Sequence, residues 1–415
     1  MKAPTPLEAL LKERVALAVG GELRAIEDAI AAEIASSVPL VAEMGEFIAG
    51  AGGKRLRPIL LLIAARLAGY QGPRAVRMGC VVELLHTATL IHDDVVDQAP
   101  LRRGRPSANA RWGDDASILV GDHLYSKSFA LMVGDGDPRV LDTLARATVS
   151  MTEAEVFQLE RKRSGTTSEA DYLRIITQKT ASFMSACCRI GGMLGGAEPE
   201  QVDRLTRYGL DIGIAFQISD DSLDFVADQA RLGKAVGADL KEGKRTLPLI
   251  ATLDRAEPAE RERIQALLKS HALDPAEIEE IRRLVVKYEG IEYALARAHA
   301  YAQSAKGARG WLPWLMIALV ITFLAVGAGV IDKLVNINTL PGCNDKRTSD
   351  TLSNLNKPNQ VNAAAYNFIK ETAKSGTEVR CTANLALRSG GTLQYDDRID
   401  KDGSGIKMEI TETRK

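Results

Sequence analysis

Residues His86–Asp97 read HTATLIHDDVVD, an apolar helical approach that ends in three aspartates. On a helix Asp93 and Asp97 stand four apart, so both carboxylates leave one face, with Asp94 beside them. Like charges at that spacing repel, and a helix gains nothing from them unless cations bind. The stretch FQISDDSLDF, Phe216–Phe225, repeats the arrangement: Asp220 and Asp224 are four apart, with Gln217 and Asp221 also in register. The two acidic hexapeptides, His92–Asp97 and Ser219–Asp224, begin 127 residues apart. A solvated helix face accounts for either cluster taken alone. It does not account for two that each close an apolar run, LLHTATLI and YGLDIGIA, and so stand at the mouth of a greasy interior. Hard oxygen ligands that leave room for water suit Mg²⁺, which bridges substrate phosphates and seldom has an all-protein cage. Two facing acidic patches therefore point to a diphosphate held between magnesium ions.

Basic segments lie beside both patches. GGKRLRP supplies Lys54, Arg55 and Arg57 after Gly52 and Gly53, and LRRGRPS supplies Arg102, Arg103 and Arg105 just after the first acidic motif. Glycine turns let backbone amides approach an anion, and arginine forks take phosphate oxygens two at a time. After the second motif, GKAVGADLKEGKRTLP carries Lys234, Lys241 and Lys244 on a segment able to close over a leaving diphosphate. Elsewhere such charge runs are solvated loops; here their position next to the acids makes them diphosphate clamps.

The surrounding chain is helical. Of 415 residues, 46% are hydrophobic and 26% charged, the balance of a globular protein of two or three domains. From about residue 7 to 305, apolar residues recur three and four apart between glycine and proline punctuation, as in Pro58–Tyr70, Ala75–Val96, Ser117–Val133, Tyr172–Leu194 and Gln201–Val226. Lys plus Arg is 53 against 54 for Asp plus Glu, a net charge of -1 with no basic excess for a nucleic-acid backbone. Five cysteines without CxxC spacing form neither a disulfide scaffold nor a zinc site, and the adjacent Cys187 and Cys188 read as packed small hydrophobes.

The motifs GGKRLRP, HTATLIHDDVVD, RRGRPSAN, VGDHLYSKS, KTASF and FQISDDSLDF occur in one order, and in that order the sequence resembles a trans-type polyprenyl diphosphate synthase, close to the octaprenyl-type long-chain enzymes of quinone biosynthesis. The resemblance covers residues 1–305. It implies an all-α isoprenoid-synthase helical bundle and a homodimer. It also implies that Lys54, Arg57, His86 and Arg103 bind isopentenyl diphosphate. Asp93, Asp97 and Asp220 would coordinate about three Mg²⁺ ions, supported by Asp94, Asp221 and Asp224. Arg102, Lys179, Thr180, Gln217, Lys234 and Lys244 would contact the allylic diphosphate, with Asp93, Asp97, Lys179 and Asp220 as the catalytic set. Ala88 and Thr89, five and four residues before Asp93, are small where short-chain relatives carry a blocking aromatic, which implies a long all-trans product. A membrane-anchored noncatalytic or regulatory subunit of the same fold is the alternative, and the intact Asp, Arg and Lys sets count against it. The family usually continues with two more helices after AYAQSAKGARG, and their replacement here is expected to weaken closure of the bundle.

Residues 306–335 are expected to form a linker and one transmembrane helix. Leu312–Ile331 holds 20 residues without a charge, with Trp311 and Trp314 at one end, and at about 1.5 Å per residue just spans a bilayer; a buried core helix is the competing reading. Residues 336–415 are expected to form a small α+β domain with a helix over Pro358–Ala373 and strands over Glu378–Leu387, Thr392–Ile399 and Ile406–Thr411. The N-terminus lacks a secretory signal. The sequence thus predicts a single-pass membrane protein with the synthase domain cytoplasmic and the C-terminal domain outside, where Cys343 and Cys381 form a disulfide or remain two thiols.

Overall fold

The computed structural model describes residues 6–50, 52–102, 104–226, 237–269, 273–307 and four strands at 363–375, 378–387, 392–400 and 406–413. The chain divides into two compact units, Met1–Leu334 and Val335–Lys415.

The first unit is a helical bundle. Its helices begin with α1 Pro6–Ile34, α2 Pro39–Ala49, α3 Leu56–Leu67 and α4 Pro73–Val96. A two-residue hairpin, β1 Leu101–Arg102 with β2 Arg105–Pro106, leads to α5 Ala108–Trp112, α6 Asp114–Asp135 and α7 Pro138–Ser164. Then come α8 Glu169–Ile176, α9 Ser182–Leu194 and α10 Pro199–Val226, followed by helices at Ala238–Lys241, Leu247–Arg255, Pro258–Leu268, Pro275–Lys287 and Gly290–Gly307. Proline at the first helical positions starts α2, α4 and α7, where the missing N–H costs no hydrogen bond. Ser168 and Asp171 form a reciprocal cap that starts α8.

Helix α4 is buried nearly all round, from Met78 to Ile91, and joins α3, α6 and α9 in the main core. Its first and last turns emerge, and the last carries the first acidic motif. Helix α10 lies against α9 and the Gly290–Gly307 helix. Glycines set that approach: a Cβ on Gly213 would stand 2.5 Å from Ala181 Cα, and one on Gly209 would stand 2.7 Å from Met184 O. The second acidic motif is thereby drawn close to the backbone that carries Lys179.

The sequence reading of one helix over Tyr172–Leu194 differs from the structure at a single place. Residues Thr177–Ala181 form a π-turn between α8 and α9. The wider turn inserts one extra residue and re-aims Lys179 and Thr180, a device common at functional sites.

Two expectations about the C-terminal part are corrected. Ala363–Ser375 is a strand, β3, not a helix, and it pairs antiparallel with β4 Glu378–Leu387. With β5 Thr392–Asp400 and β6 Ile406–Thr413 it completes a four-stranded antiparallel meander in place of an α+β fold. Pairing along β4, with register shifts between Asn367 and Lys370 and between Glu371 and Ala373, overrides the helical preference of the alanine-rich run. The single-pass membrane placement is corrected as well: among the described residues no helix is long and apolar enough to cross a membrane. The longest, α1, α7 and α10, carry charges along their length. Leu312–Ile331 and Cys343 lie outside the described residues, and Cys381 is placed only as a β4 position facing Glu371 and Asp397.

Candidate active site

The end of α4 meets lysines from two distant segments. Lys179, on the π-turn, ion-pairs with Glu155 of α7 and stands 3.5 Å from Asp93 Oδ2. Lys244 donates to Asp97 Oδ2 at 2.8 Å and to Glu242 Oε2 at 2.6 Å. Burial works against the Lys244 charge, but Glu242 and Asp97 outweigh it and hold its pKa above the ordinary lysine range. Burial also raises the pKa of Glu155, against the pull of Lys179. Each lysine thus neutralises carboxylates that would otherwise repel, as a divalent cation held by them would.

The second motif is tied into a hydrogen-bonded chain. Tyr172 Oη donates to Asp221 Oδ2 at 2.6 Å, Gln217 Nε2 donates to Asp221 Oδ1 at 2.8 Å, and Thr180 Oγ1 donates to Gln217 Oε1 at 3.0 Å. Burial, with the Asp239 charge, pushes the Asp221 carboxyl up to about 7, while Tyr172 and Gln217 oppose the shift. Asp224 is almost fully buried and its Oδ2 accepts from Asp239 N at 3.1 Å, so it anchors the Ala238–Lys241 helix. Asp220 lines the same cavity as Lys179, Thr180, Gln217, Asp221 and Lys244, so six of the residues singled out in the sequence converge there.

A second cavity lies on the other side of α4. His86 and Asp94 line it, with Arg102 and Arg105 of the hairpin. Arg102 Nε donates to both Asp94 oxygens, at 2.7 and 2.8 Å, and so offsets the burial that raises the Asp94 pKa. Arg55 adopts a left-handed conformation, φ 47°, and bridges Glu27 at 2.6 Å and the buried Glu83 at 2.6 Å. It fixes the turn that carries Lys54, which is exposed, and Arg57, whose guanidinium sits 5.6 Å from the Phe183 ring centroid. Arg103 and Lys234 lie outside the described residues.

The sequence reading missed Tyr172, Glu155, Glu242 and Asp239, all polar residues on helices or loops with no acidic repeat to flag them. Cys80, Cys187 and Cys188 are buried, and burial pushes the Cys187 thiol up to about 12, as expected of packed hydrophobes. Among the described residues no cluster of three His, Cys, Asp or Glu side chains is tight enough to hold a metal by itself. That fits Mg²⁺ taken up together with phosphate oxygens, since the donors present are hard carboxylates spread across a cavity.

A polyprenyl synthetase family profile matches residues 38–285, more than half of the chain. The chain belongs to the polyprenyl synthetase family. This polyprenyl synthetase chain is 36% identical to the octaprenyl diphosphate synthase of Escherichia coli over 312 residues, 74% of this chain and 95% of that enzyme. Its fold is similar to a decaprenyl diphosphate synthase from Rhodobacter capsulatus, with TM-score 0.71 and 39% identity, covering 77% of this chain and 99% of the other. It is equally similar to a polyprenyl synthase from Caulobacter crescentus complexed with calcium and isoprenyl diphosphate, with TM-score 0.72 and 36% identity over 76% of this chain and 97% of that one. These spans correct the expected loss of two family helices. Relatives are covered almost to their full length, and the Gly290–Gly307 helix packed on α10 closes the polyprenyl synthetase bundle.

Proposed function

We propose that this chain is a Mg²⁺-dependent prenyltransferase that adds isopentenyl diphosphate units to an allylic diphosphate and makes a long-chain all-trans polyprenyl diphosphate, a quinone side-chain precursor. The observation that carries the reading is the convergence of Asp93 and Asp97 with Lys179 and Lys244, in reach of a cavity shared with Asp220, Gln217 and Thr180. The long-chain names of the similar enzymes and the small Ala88 and Thr89 support the product class.

In this reading Asp93, Asp97 and Asp220 hold about three Mg²⁺ ions on the allylic diphosphate, and Asp94, Asp221 and Asp224 act through neighbours. Bound magnesium supplies charge neutralisation for the leaving diphosphate. Lys179 and Lys244 exchange their carboxylate partners for phosphate oxygens and steady the charge that develops as the allylic C–O bond breaks. Arg102, Thr180, Gln217 and Lys234 orient the same group. Lys54, Arg57, His86 and Arg103 hold isopentenyl diphosphate so that its double bond attacks the allylic carbocation at short range. A new C–C bond forms, and the resulting tertiary cation loses a proton to the departing diphosphate. A homodimer belongs to the same reading, and it would give the exposed Ile118 and Leu119 of α6 a surface to pack against.

The test incubates full-length protein with Mg²⁺, farnesyl diphosphate and labelled isopentenyl diphosphate and reads product length by chromatography. Long-chain product, abolished in Asp93→Ala and Asp220→Ala with helical content retained, is the expected result. No product from folded wild-type protein refutes the activity, and full turnover in either variant refutes the metal assignment.

A further inference from the structure

The cavity shared by the two acidic motifs is also lined by Arg161 and Lys162, from the last turn of α7, and by Arg245, next to Lys244. None of the three is among the residues that the sequence singles out, although Arg245 lies in the segment that carries Lys244. We propose that Arg161, Lys162 and Arg245 form a diphosphate-binding site at the mouth of this cavity that works without magnesium, beside the metal-dependent site of the aspartates. The proposal rests on the activity proposed above only for the identity of the anion.

The argument starts from which positive charge is already committed. Lys179 is held by Glu155 and Asp93, and Lys244 by Glu242 and Asp97, so neither presents net charge until something displaces those carboxylates. The arginines differ. Among the described residues no carboxylate lies within ion-pair distance of Arg161, Lys162 or Arg245. Arg245 is half-buried, and burial alone acts on it, lowering its pKa with no hydrogen bond or anion in opposition. Arg161 stacks 5.2 Å from the Phe157 ring centroid, which Arg174 approaches from 4.1 Å, and its buried Nε has no hydrogen-bond partner. Asp171, whose carboxylate feels the Arg161 charge, is already engaged by Ser168 in the cap of α8. A guanidinium taken partly out of water without an anion is unfavourable, and an incoming anion relieves it.

The three cations share one rim. Arg245 Nη2 comes within 3.9 Å of the point a Cβ would occupy on Gly165, the left-handed residue that ends α7. Lys162 Cε lies 3.3 Å from the corresponding point on Gly243. The end of α7 and the Gly243–Arg245 loop therefore face each other with side chains interleaved. Stabilisation of the α7 C-terminus by its own basic residues explains Arg161 and Lys162 in part, but not a half-buried Arg245 on a separate segment. Arginine forks and a lysine on one rim match the oxygens of a diphosphate. That group has two sources in the proposed cycle, an entering allylic diphosphate or a departing inorganic diphosphate.

The experiment titrates the full-length chain calorimetrically in EDTA, in separate arms, with inorganic diphosphate and with farnesyl diphosphate. Saturable metal-free binding is expected. It should weaken at least about tenfold in the R161Q/R245Q double variant, since two charge-assisted hydrogen-bond donors are lost, and stay unchanged in R163Q, whose side chain is exposed outside the cavity. Binding that the double variant weakens in both arms assigns the site to the diphosphate group, such binding in one arm names its source, and binding undiminished in the double variant overturns the proposal. Absence of saturable binding in EDTA, or an equal loss in R163Q, overturns the proposal. R245Q alone, checked by circular dichroism, decides the matter if the double variant fails to fold. Failure of Mg²⁺-dependent turnover in wild-type protein would refute the proposed activity and leave this binding measurement readable.

Discussion

Lys244 Nζ stands 2.8 Å from Asp97 Oδ2, although 147 residues of chain separate them. Both groups are largely shielded, with side-chain exposures of 22% and 17%, so the pair is more than a surface ion pair. It joins the loop after the second acidic motif to the end of the helix that carries the first, and it places a cation where a leaving diphosphate gains charge. Lys244→Gln keeps the size and removes the charge. Turnover is expected to fall about 10²- to 10³-fold, the usual cost of losing one donor to developing charge. Steady-state rates with farnesyl diphosphate and labelled isopentenyl diphosphate check this, and a rate within threefold of wild type would show that Lys244 serves the fold alone.

Removing magnesium separates chemistry from folding. Asp93 and Asp97 already face Lys179 and Lys244, so their repulsion is offset without any metal. EDTA is expected to abolish product formation while leaving helical ellipticity and the thermal midpoint unchanged, and added Mg²⁺ to restore the rate. A drop in thermal midpoint with chelation would mean that the lysines do not balance the acids.

The acidic motifs were legible because a spacing of four on a helix has one physical meaning, and because apolar runs precede both. Arg55 was visible as one cation among several, but its bridge to Glu27 and Glu83 was not, since both partners lie 28 residues away on other helices. The π-turn at Thr177–Ala181 was invisible because its residues suit an α-helix equally well, and the close packing of Gly213 on Ala181 is a tertiary feature. Ala363–Ser375 was misread for the opposite reason: local propensity favours a helix, and only pairing with β4 decides otherwise. Tyr172 had no signal at all, being one aromatic in a helical run whose partner lies 49 residues on.

That partner, Asp221, gives the fold a pH dependence. Burial and the Asp239 charge raise its folded pKa from 3.8 to about 7, against the hydrogen bonds from Tyr172 and Gln217. The native chain therefore holds this proton more tightly than the unfolded chain. Its stabilising share is complete below the unfolded value and is lost as pH rises through the folded one. Thermal midpoints of Asp221→Asn measured from about pH 4 to about pH 7 should fall less steeply than those of wild type. Parallel profiles for the two proteins would place the pH dependence elsewhere.

Tyr172→Phe tests the same network from its other end. The hydroxyl that donates to Asp221 at 2.6 Å is lost, while Gln217 still donates to the second oxygen. A half-satisfied buried carboxylate costs about 1–3 kcal/mol, readable as a shift in urea midpoint. The magnesium concentration for half-maximal rate should rise as well, because Asp220 precedes Asp221 on the same helix. A purely structural tyrosine would shift the urea midpoint and leave the magnesium requirement where it was.

Product length follows from two neighbouring residues that the structure treats differently. Ala88 is fully buried in the main core, so Ala88→Phe overpacks the bundle at a cost of about 1–3 kcal/mol and confounds any change in product with a change in fold. Thr89 is half-buried, and its hydroxyl donates at 2.8 Å to His86 O within its own helix. Thr89→Phe therefore adds a ring one turn from Asp93 with little disturbance of the core. If the product grows past this position, the variant should release a shorter polyprenyl diphosphate while adding the first isopentenyl unit at a near wild-type rate. Reversed-phase chromatography of the dephosphorylated products reads the chain length directly, and an unchanged long-chain distribution would place the growing product away from Thr89.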